Sequence, residues 1–403
     1  MSYLNGKSFN PAMNRRSLIA GVAGLGSAAI LAGCTNSGNA TAAGSAAAAG
    51  SAAPAGAFKI GVIGPQTGDT ATYGTAVANG AKLGAKDFSD DAYTFAAEVQ
   101  DSVGDSEKAV TAFNTLVDNG MQALVGPTLT GESVAVAPEA ESAEVFMITP
   151  SASSTDVTKD HTGVYQACFT DPNQGANAAK FASNKLADEK FAVLFQSDDA
   201  YSQTIAETFQ KQAKELKLQV VDGDYSFTKD TATDFKNQLT TAQNAGATVV
   251  FAPIYYTPAS ILLKQASDMG YKFTLFGCDG MDGLLDVEGF DKSLAEGVLL
   301  MTPFAADDPK NKDFVDAYTK EYGDTPNQFA ADAYDCVHAI AEGLKAAGTA
   351  ADADPATVRE DLIKAFADLK LEGLTGNLTW NDKGEVEKDP TAYKIENGKY
   401  VEA

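Results

Sequence analysis

Short apolar runs that alternate with helical patterns constrain this chain's fold more than any other feature. Phe58 to Gly64, Phe95 to Gln100, Ala123 to Gly126 and Val145 to Ile148 have strand length and are bounded by turn residues. Between the second and third, Val110, Phe113, Leu116 and Val117 fall on one helical face, with Asp105 or Ser106 as cap and Gly120 as stop. The alternation resumes with Phe191 to Phe195, Val249 to Ile254, Thr274 to Phe276 and Gly297 to Met301. Repeated strand–helix–strand units imply parallel sheets with right-handed crossovers. Near the end, Tyr393 to Val401 contains Asn397-Gly398, the pair favoured in a two-residue hairpin. Residues 58 to 403 are long enough for two domains. The expected fold is therefore α/β, two doubly wound parallel-sheet lobes with a ligand cleft between them.

The segment before this body reads as an address. Residues 1–33 carry Lys7, Arg15 and Arg16, no acid, and an apolar run of 14 residues from Leu18 to Leu31. That is the layout of a signal peptide, too short to span a bilayer as a helix. Leu31-Ala32-Gly33-Cys34 resembles a bacterial lipoprotein cleavage box, which makes Cys34 the expected lipidated N-terminus. Asn14-Arg15-Arg16-Ser17-Leu18 suits either a degenerate twin-arginine signal or two arginines in an ordinary charged region. Thr35 to Ala57 has no charge and no large apolar side chain, so it cannot bury enough surface to offset ordering. Residues 34–57 are expected to form a flexible, lipid-anchored tether, with a reach of roughly 25–30 Å.

Charge and cysteine usage exclude several classes of function. The formal net charge of −24 becomes −27 without the three cations of the leader. Such an acidic body argues against nucleic acid and against direct contact with anionic lipid, leaving the anchor as the membrane contact. Cys168, Cys278 and Cys336 form no C-x-x-C, and His161 and His338 stand far apart, so no zinc site or disulfide framework is indicated. One disulfide remains possible among the three. No G-x-G-x-x-G, Walker A or G-x-S-x-G is present, which argues against a nucleotide-dependent or serine-nucleophile enzyme. Neither a cofactor nor catalysis is expected.

Met147-Ile148-Thr149-Pro150-Ser151-Ala152-Ser153 points to binding instead. An apolar strand is stopped by Pro150, and hydroxyls follow at its carboxyl end. Open α/β sheets bind ligands at that edge.

In order and spacing, several motifs together resemble the leucine/isoleucine/valine-binding type of solute receptor that serves ABC importers. That family has the type I periplasmic-binding-protein fold. The motifs begin with Ile60-Gly61-Val62-Ile63-Gly64 through Tyr73-Gly74, then Ala123-Leu124-Val125-Gly126-Pro127 and Met147 to Ser153. They continue with Asp171-Pro172-Asn173-Gln174-Gly175, Ala252-Pro253-Ile254-Tyr255-Tyr256, Gly277-Cys278-Asp279-Gly280 and Ala333-Tyr334-Asp335. Gly376-Asn377-Leu378-Thr379-Trp380 and Asp382-Lys383-Gly384 complete the set. The resemblance implies three crossings between lobes, near Phe169 to Asp171, at Pro303, and at Asn377 to Thr379. It thereby divides the body into lobe 1, residues 58–170 plus 304–376, and lobe 2, residues 171–303 plus 377–403.

The same resemblance implies the ligand contacts. Thr130, at the start of a helical stretch, would offer a hydroxyl and free N–H groups to a carboxylate, with Glu132 adding an opposing charge nearby. The Ser151 carbonyl would accept from an ammonium, and Ala152 and Ser153 complete that loop. Asp279 would pair with the ammonium, since a charged hydrogen bond is strong in a dry cleft. Tyr73, Tyr201 and Tyr255 would line the cleft, with Tyr256 an alternative to Tyr255 and Tyr334 a further candidate. Where some relatives have an early pair of cysteines, this chain has Gly104 and Leu129, so that disulfide is absent.

The implied function is an extracytoplasmic, lipid-anchored and monomeric binding protein. It would capture a branched-chain or related amino acid and deliver it to ABC permease subunits in the membrane. A sensor built on the same fold is the alternative.

Overall fold

The computed structural model describes residues 56–403 apart from Glu387. The leader, Cys34 and the tether lie outside the described residues. The first half of the body runs β1 (Phe58–Gly64), α1 (Ala71–Asp87), β2 (Phe95–Asp101), α2 (Ser106–Asp118), β3 (Ala123–Val125), α3 (Thr130–Ser142), β4 (Phe146–Thr149) and β5 (Val164–Gln166). There follow α4 (Asp171–Lys185), β6 (Lys190–Val193), β7 (Phe195–Gln196), α5 (Ala200–Leu216), β8 (Gln219–Val220) and β9 (Ser226–Phe227). Next come α6 (Lys236–Asn244), β10 (Val249–Phe251), α7 (Tyr256–Asp268), β11 (Thr274–Gly277) and β12 (Leu299–Thr302). The last part holds α8 (Lys312–Tyr322), α9 (Gln328–Ala347), α10 (Pro355–Phe366), β13 (Leu371–Gly373), β14 (Gly376–Leu378), β15 (Thr391–Glu396) and β16 (Lys399–Glu402).

Two large sheets organise these elements. One has the order β2-β1-β3-β4-β5, and all its pairs are parallel. The other runs β16-β15-β12-β11-β10-β6-β8, parallel except where the terminal hairpin adds antiparallel strands. Strand side chains alternate between faces, and both faces are buried. In the first sheet Ile60, Val62, Val125 and Ile148 face α1 and α9, while Ile63, Leu124 and Met147 face α2 and α3. In the second, Phe191, Phe251 and Phe276 pack toward α4 and α5, and Ala192, Val250 and Leu275 toward α6 and α7. Each lobe is a three-layer sandwich, and the doubly wound architecture expected from the sequence is present.

Local signals behave as expected in two places. Asp105 caps α2, its carboxylate accepting from Lys108 N at 3.0 Å, and Gly120 follows the helix at φ +80°. Asn397 and Gly398 take positive φ, 53° and 74°, and turn β15 into β16.

One expected boundary moves. Residues after Leu378 stay against the first sheet: the Trp380 indole donates to Gln166 O at 2.8 Å, and Gln166 N donates to Gly384 O at 2.9 Å. The Trp380 ring also packs on Phe366, with centroids 4.4 Å apart. The third crossing therefore lies between Val386 and Thr391, not at Asn377 to Thr379. The indole held by β5 and α10, with Leu378 fully buried, keeps this segment on the first sheet where the resemblance implied a crossing. No helix among the described residues is long and apolar enough to cross a membrane.

Candidate functional site

The carboxyl ends of the parallel strands in both lobes converge on one small pocket. It is lined by Tyr73, Thr128, Leu129, Thr130, Ser151 and Phe329 from the first lobe, and by Tyr201, Tyr255, Asp279 and Gly280 from the second. Its volume is about 20 Å³, room for about one water. Each contributor except Phe329 follows a strand end directly or opens the next helix, the geometry expected of a ligand site in such sheets. Of the eight ligand contacts expected from the sequence, six line this pocket: Tyr73, Thr130, Ser151, Tyr201, Tyr255 and Asp279.

The floor on the first lobe is polar. Thr130 is the first residue of α3, 2% exposed and part of the pocket lining, so the first turn of that helix, whose N–H groups have no intrahelical partner, opens beside the pocket. The Ser151 hydroxyl donates to Thr128 O at 2.7 Å, which locks the loop after β4 to the loop after β3. Such a floor offers donors to a carboxylate.

The roof on the second lobe is acidic. Asp279 follows β11 and is 4% exposed; its Oδ1 accepts from the Tyr201 hydroxyl at 2.8 Å and from Gly280 N at 2.9 Å. Burial holds its carboxyl up at about 7, against the Tyr201 and Gly280 bonds that act to lower it. No cation is among the strongest influences on it, and it makes no ion pair among the described residues. Gly280 is required here, because a Cβ would meet the Tyr201 hydroxyl at 2.7 Å and displace the donor that orients Asp279. A buried carboxyl without a cation is a ready partner for an ammonium.

Aromatic rings form the walls. Tyr201 stacks on Tyr255 with centroids 5.2 Å apart and planes 11° apart. Tyr73 lies 4.2 Å from Phe329 and meets Tyr255 edge-on at 5.9 Å. Gly74 makes this placement possible, since a Cβ there would collide with the Pro65 carbonyl. Tyr255 lines the pocket; Tyr256 packs on Tyr73 and accepts from Thr72 N at 3.2 Å. Tyr334 lies elsewhere, against Phe88 and Phe314.

Two expected contacts do not line the pocket. Ala152 is buried behind it, its N–H held by the Thr149 hydroxyl at 3.0 Å and its carbonyl by the Gln166 amide at 2.6 Å. With both backbone groups engaged, Ala152 is scaffold. Ser153 is fully buried, and its carbonyl accepts from Asp171 N at 2.8 Å. Gln166, reaching from β5, pulls this end of the loop inward through Ala152 and Ser154.

Sequence reasoning missed Phe329, which comes from α9 and carries no strand-end signal. It also missed the buried cluster behind Asp279. Both carboxylate oxygens of Asp171, the Ser153 hydroxyl and the Gln174 amide nitrogen have no hydrogen-bond partner. Burial pushes the Asp171 carboxyl well up, with Asp279 adding to that. In the sequence, Asp171 opens the Asp171-Pro172-Asn173-Gln174-Gly175 motif at an expected lobe crossing, and nothing there marks its burial. Cys168, Cys278 and Cys336 are all free and buried, and burial pushes each thiol up, away from reactivity.

The whole body matches the family described as periplasmic binding protein, over residues 57–399. A leucine-, isoleucine-, valine-, threonine- and alanine-binding protein of Pseudomonas aeruginosa is 29% identical over 345 residues, 83% of this chain and 89% of that protein. Among solved structures, the leucine-binding protein LivK of Thermotoga maritima superposes with a TM-score of 0.76 at 26% identity, covering 86% of this chain and 97% of its own. LivJ of Streptococcus pneumoniae, solved with isoleucine, has a TM-score of 0.76 at 26% identity, covering 85% and 97%.

Proposed function

Because the chain belongs to the periplasmic binding protein family, we propose that it is the solute-binding lipoprotein of an ABC importer. It captures a branched-chain or related α-amino acid between its lobes and hands it to a membrane permease. The observation that carries this is the pairing across the pocket. The first turn of α3, with Thr130, offers donors on one side, and the buried, cation-free Asp279 offers an acceptor on the other. Together they complement a zwitterion. In this reading lobe 1 takes residues 58–170 and 304–386, and lobe 2 takes 171–303 and the terminal hairpin.

Capture requires the lobes to part. In the closed arrangement they touch directly: the Tyr73 hydroxyl donates to Gly280 O, and the Thr257 hydroxyl donates to Asp69 O at 2.8 Å. A pocket of about 20 Å³ cannot admit an amino acid unless these bonds open. Small-angle scattering of the purified protein should show the radius of gyration fall when a bound amino acid is added, as hinge closure requires. A ligand that binds by calorimetry yet leaves the radius unchanged would contradict the cleft mechanism. A thermal-shift panel of amino acids identifies the ligand. A micromolar binder at millimolar concentration should add about 4 kcal/mol of stability.

Anchoring is tested separately. Cys34→Ser should release the body from membranes or leave the precursor uncleaved. One acyl chain holds a protein only marginally, so a multiply acylated cysteine is expected. Mass spectrometry that finds an unmodified mature N-terminus at another position would refute the anchor.

A further inference from the structure

Two helix N-termini meet across the cleft, and each is completed by a side chain of the other lobe. Helix α1 starts without a side-chain cap from Thr70, and α7 without one from Tyr255. The first turn of a helix carries N–H groups with no partner inside the helix. In α1 the Thr72 N–H donates to the Tyr256 hydroxyl at 3.2 Å, and in α7 the Tyr256 N–H donates to the Tyr73 hydroxyl at 3.3 Å. Pro258, also in the first turn of α7, has no N–H to satisfy. The two tyrosines thus exchange caps: a hydroxyl of lobe 2 serves the lobe 1 helix, and a hydroxyl of lobe 1 serves the lobe 2 helix.

Packing supports the exchange. The two rings meet edge-on with centroids 4.7 Å apart, and both residues are buried. Gly283, in the loop after β11, has φ +107°, and a Cβ there would come within 3.3 Å of both Thr72 Cγ2 and Tyr256 Cδ1. Glycine lets the lobes approach closely at this point. The two tyrosines differ in one respect: Tyr73 lines the ligand pocket, and Tyr256 does not. A phenylalanine at position 256 would fill the same space, and a buried hydroxyl is costly unless bonded. The bond across the cleft is what accounts for the hydroxyl of Tyr256.

We infer that Tyr256 sets the affinity of the pocket without touching the solute: its hydroxyl stabilises the closed arrangement of the lobes by capping α1 from the opposite side. This rests on the reading of the cleft as an amino-acid site. When the lobes part, water replaces each cap, so the net worth of the bond is modest. It still enters every affinity, because a closed state that is less populated binds proportionally less tightly.

The test is titration calorimetry and stopped-flow release on the full chain, wild type and Tyr256→Phe, with L-leucine, L-isoleucine and L-valine as probes. The variant should bind each probe about 3- to 10-fold more weakly, the range for one net hydrogen bond. The loss should be the same for every probe and should appear as faster release with association unchanged. Circular dichroism checks the fold. If Tyr256→Phe does not fold, Thr257→Val decides by the same uniform loss, since it removes the bond from the Thr257 hydroxyl to Asp69 O across the same edge of the cleft. Unchanged affinity and release overturn the inference, as does a loss carried by slower association. A loss that differs among the probes also overturns it, because Tyr256 would then be a solute contact. If no amino acid binds, the amino-acid reading falls and the ligand-free protein judges the cap exchange. Tyr256→Phe should then have a larger radius of gyration than the wild type by small-angle scattering, and an equal radius overturns the inference.

Discussion

Asp279→Asn should weaken binding of an α-amino acid by about 2–5 kcal/mol, the range for breaking a buried charged pair, and spare or improve binding of the matching deaminated acid. The substitution is nearly isosteric. Asparagine's Oδ1 can still accept from the Tyr201 hydroxyl and from Gly280 N, so the roof of the pocket keeps its shape. What changes is the second oxygen, which becomes an amide donor facing the ligand's ammonium. A deaminated acid brings no ammonium, and for it the wild-type carboxyl is only a desolvated group with nothing to neutralise. Thr130→Ala should behave differently, weakening both ligands by about 1–3 kcal/mol, since both present a carboxylate to the first turn of α3. Calorimetry at pH 8 on the wild type and the two variants reads the pattern. If Asp279→Asn binds amino acids as the wild type does, either the ligand class or the site assignment is wrong.

Much of this pocket was legible in the sequence because strand ends are legible. Val, Ile and Phe runs such as Phe58–Gly64 and Val249–Phe251 are buried on both faces, and a turn residue marks where each one stops. The loops that follow are where a parallel sheet places a ligand, which is how the loop of Ser151 could be named in advance, while Thr130 and Asp279 were singled out among such loops by the family resemblance. Less legible were choices made by one residue of register. Tyr255 and Tyr256 are adjacent and chemically identical; their fates differ because Tyr255 is the cap before α7 and Tyr256 its first turn. Contributions from distant elements left no local trace. Phe329 reaches the pocket from a helix about 200 residues beyond the floor it faces. Burial of polar groups was also hidden. The sequence shows Glu132 only as a charge near Thr130 and Asp171 only as part of a motif at a lobe crossing, and neither position announces that packing removes its water.

The ligand-free protein should lose stability as pH rises from about 4 to about 7, the reverse of the usual acid sensitivity of carboxylates. Asp279 and Glu132 are held up at about 7, and Asp199, Asp282 and Asp332 at about 6, all chiefly by burial. A carboxyl raised in the folded state binds more protons there than in the unfolded chain at pH values between its two pKa values. Stability therefore falls with rising pH across that window. For Asp279, moving from 3.8 to about 7 corresponds to about 4 kcal/mol. Carboxylates held below their ordinary range, such as Asp101 with its bonds from Thr67 and Gln66, lose their contribution only below about pH 4 and do not oppose the trend. A bound α-amino acid changes the balance by placing a cation beside Asp279 and drawing its pKa down. Ligand-induced stabilisation should thus grow from pH 5 to pH 8, and binding near pH 6.5 should release a fraction of a proton. Denaturant unfolding across that range, with and without ligand, measures the first effect. Calorimetry in two buffers of different ionisation enthalpy measures the second. Proton uptake on binding, or a ligand effect that shrinks as pH rises, would mean that no ammonium reaches Asp279.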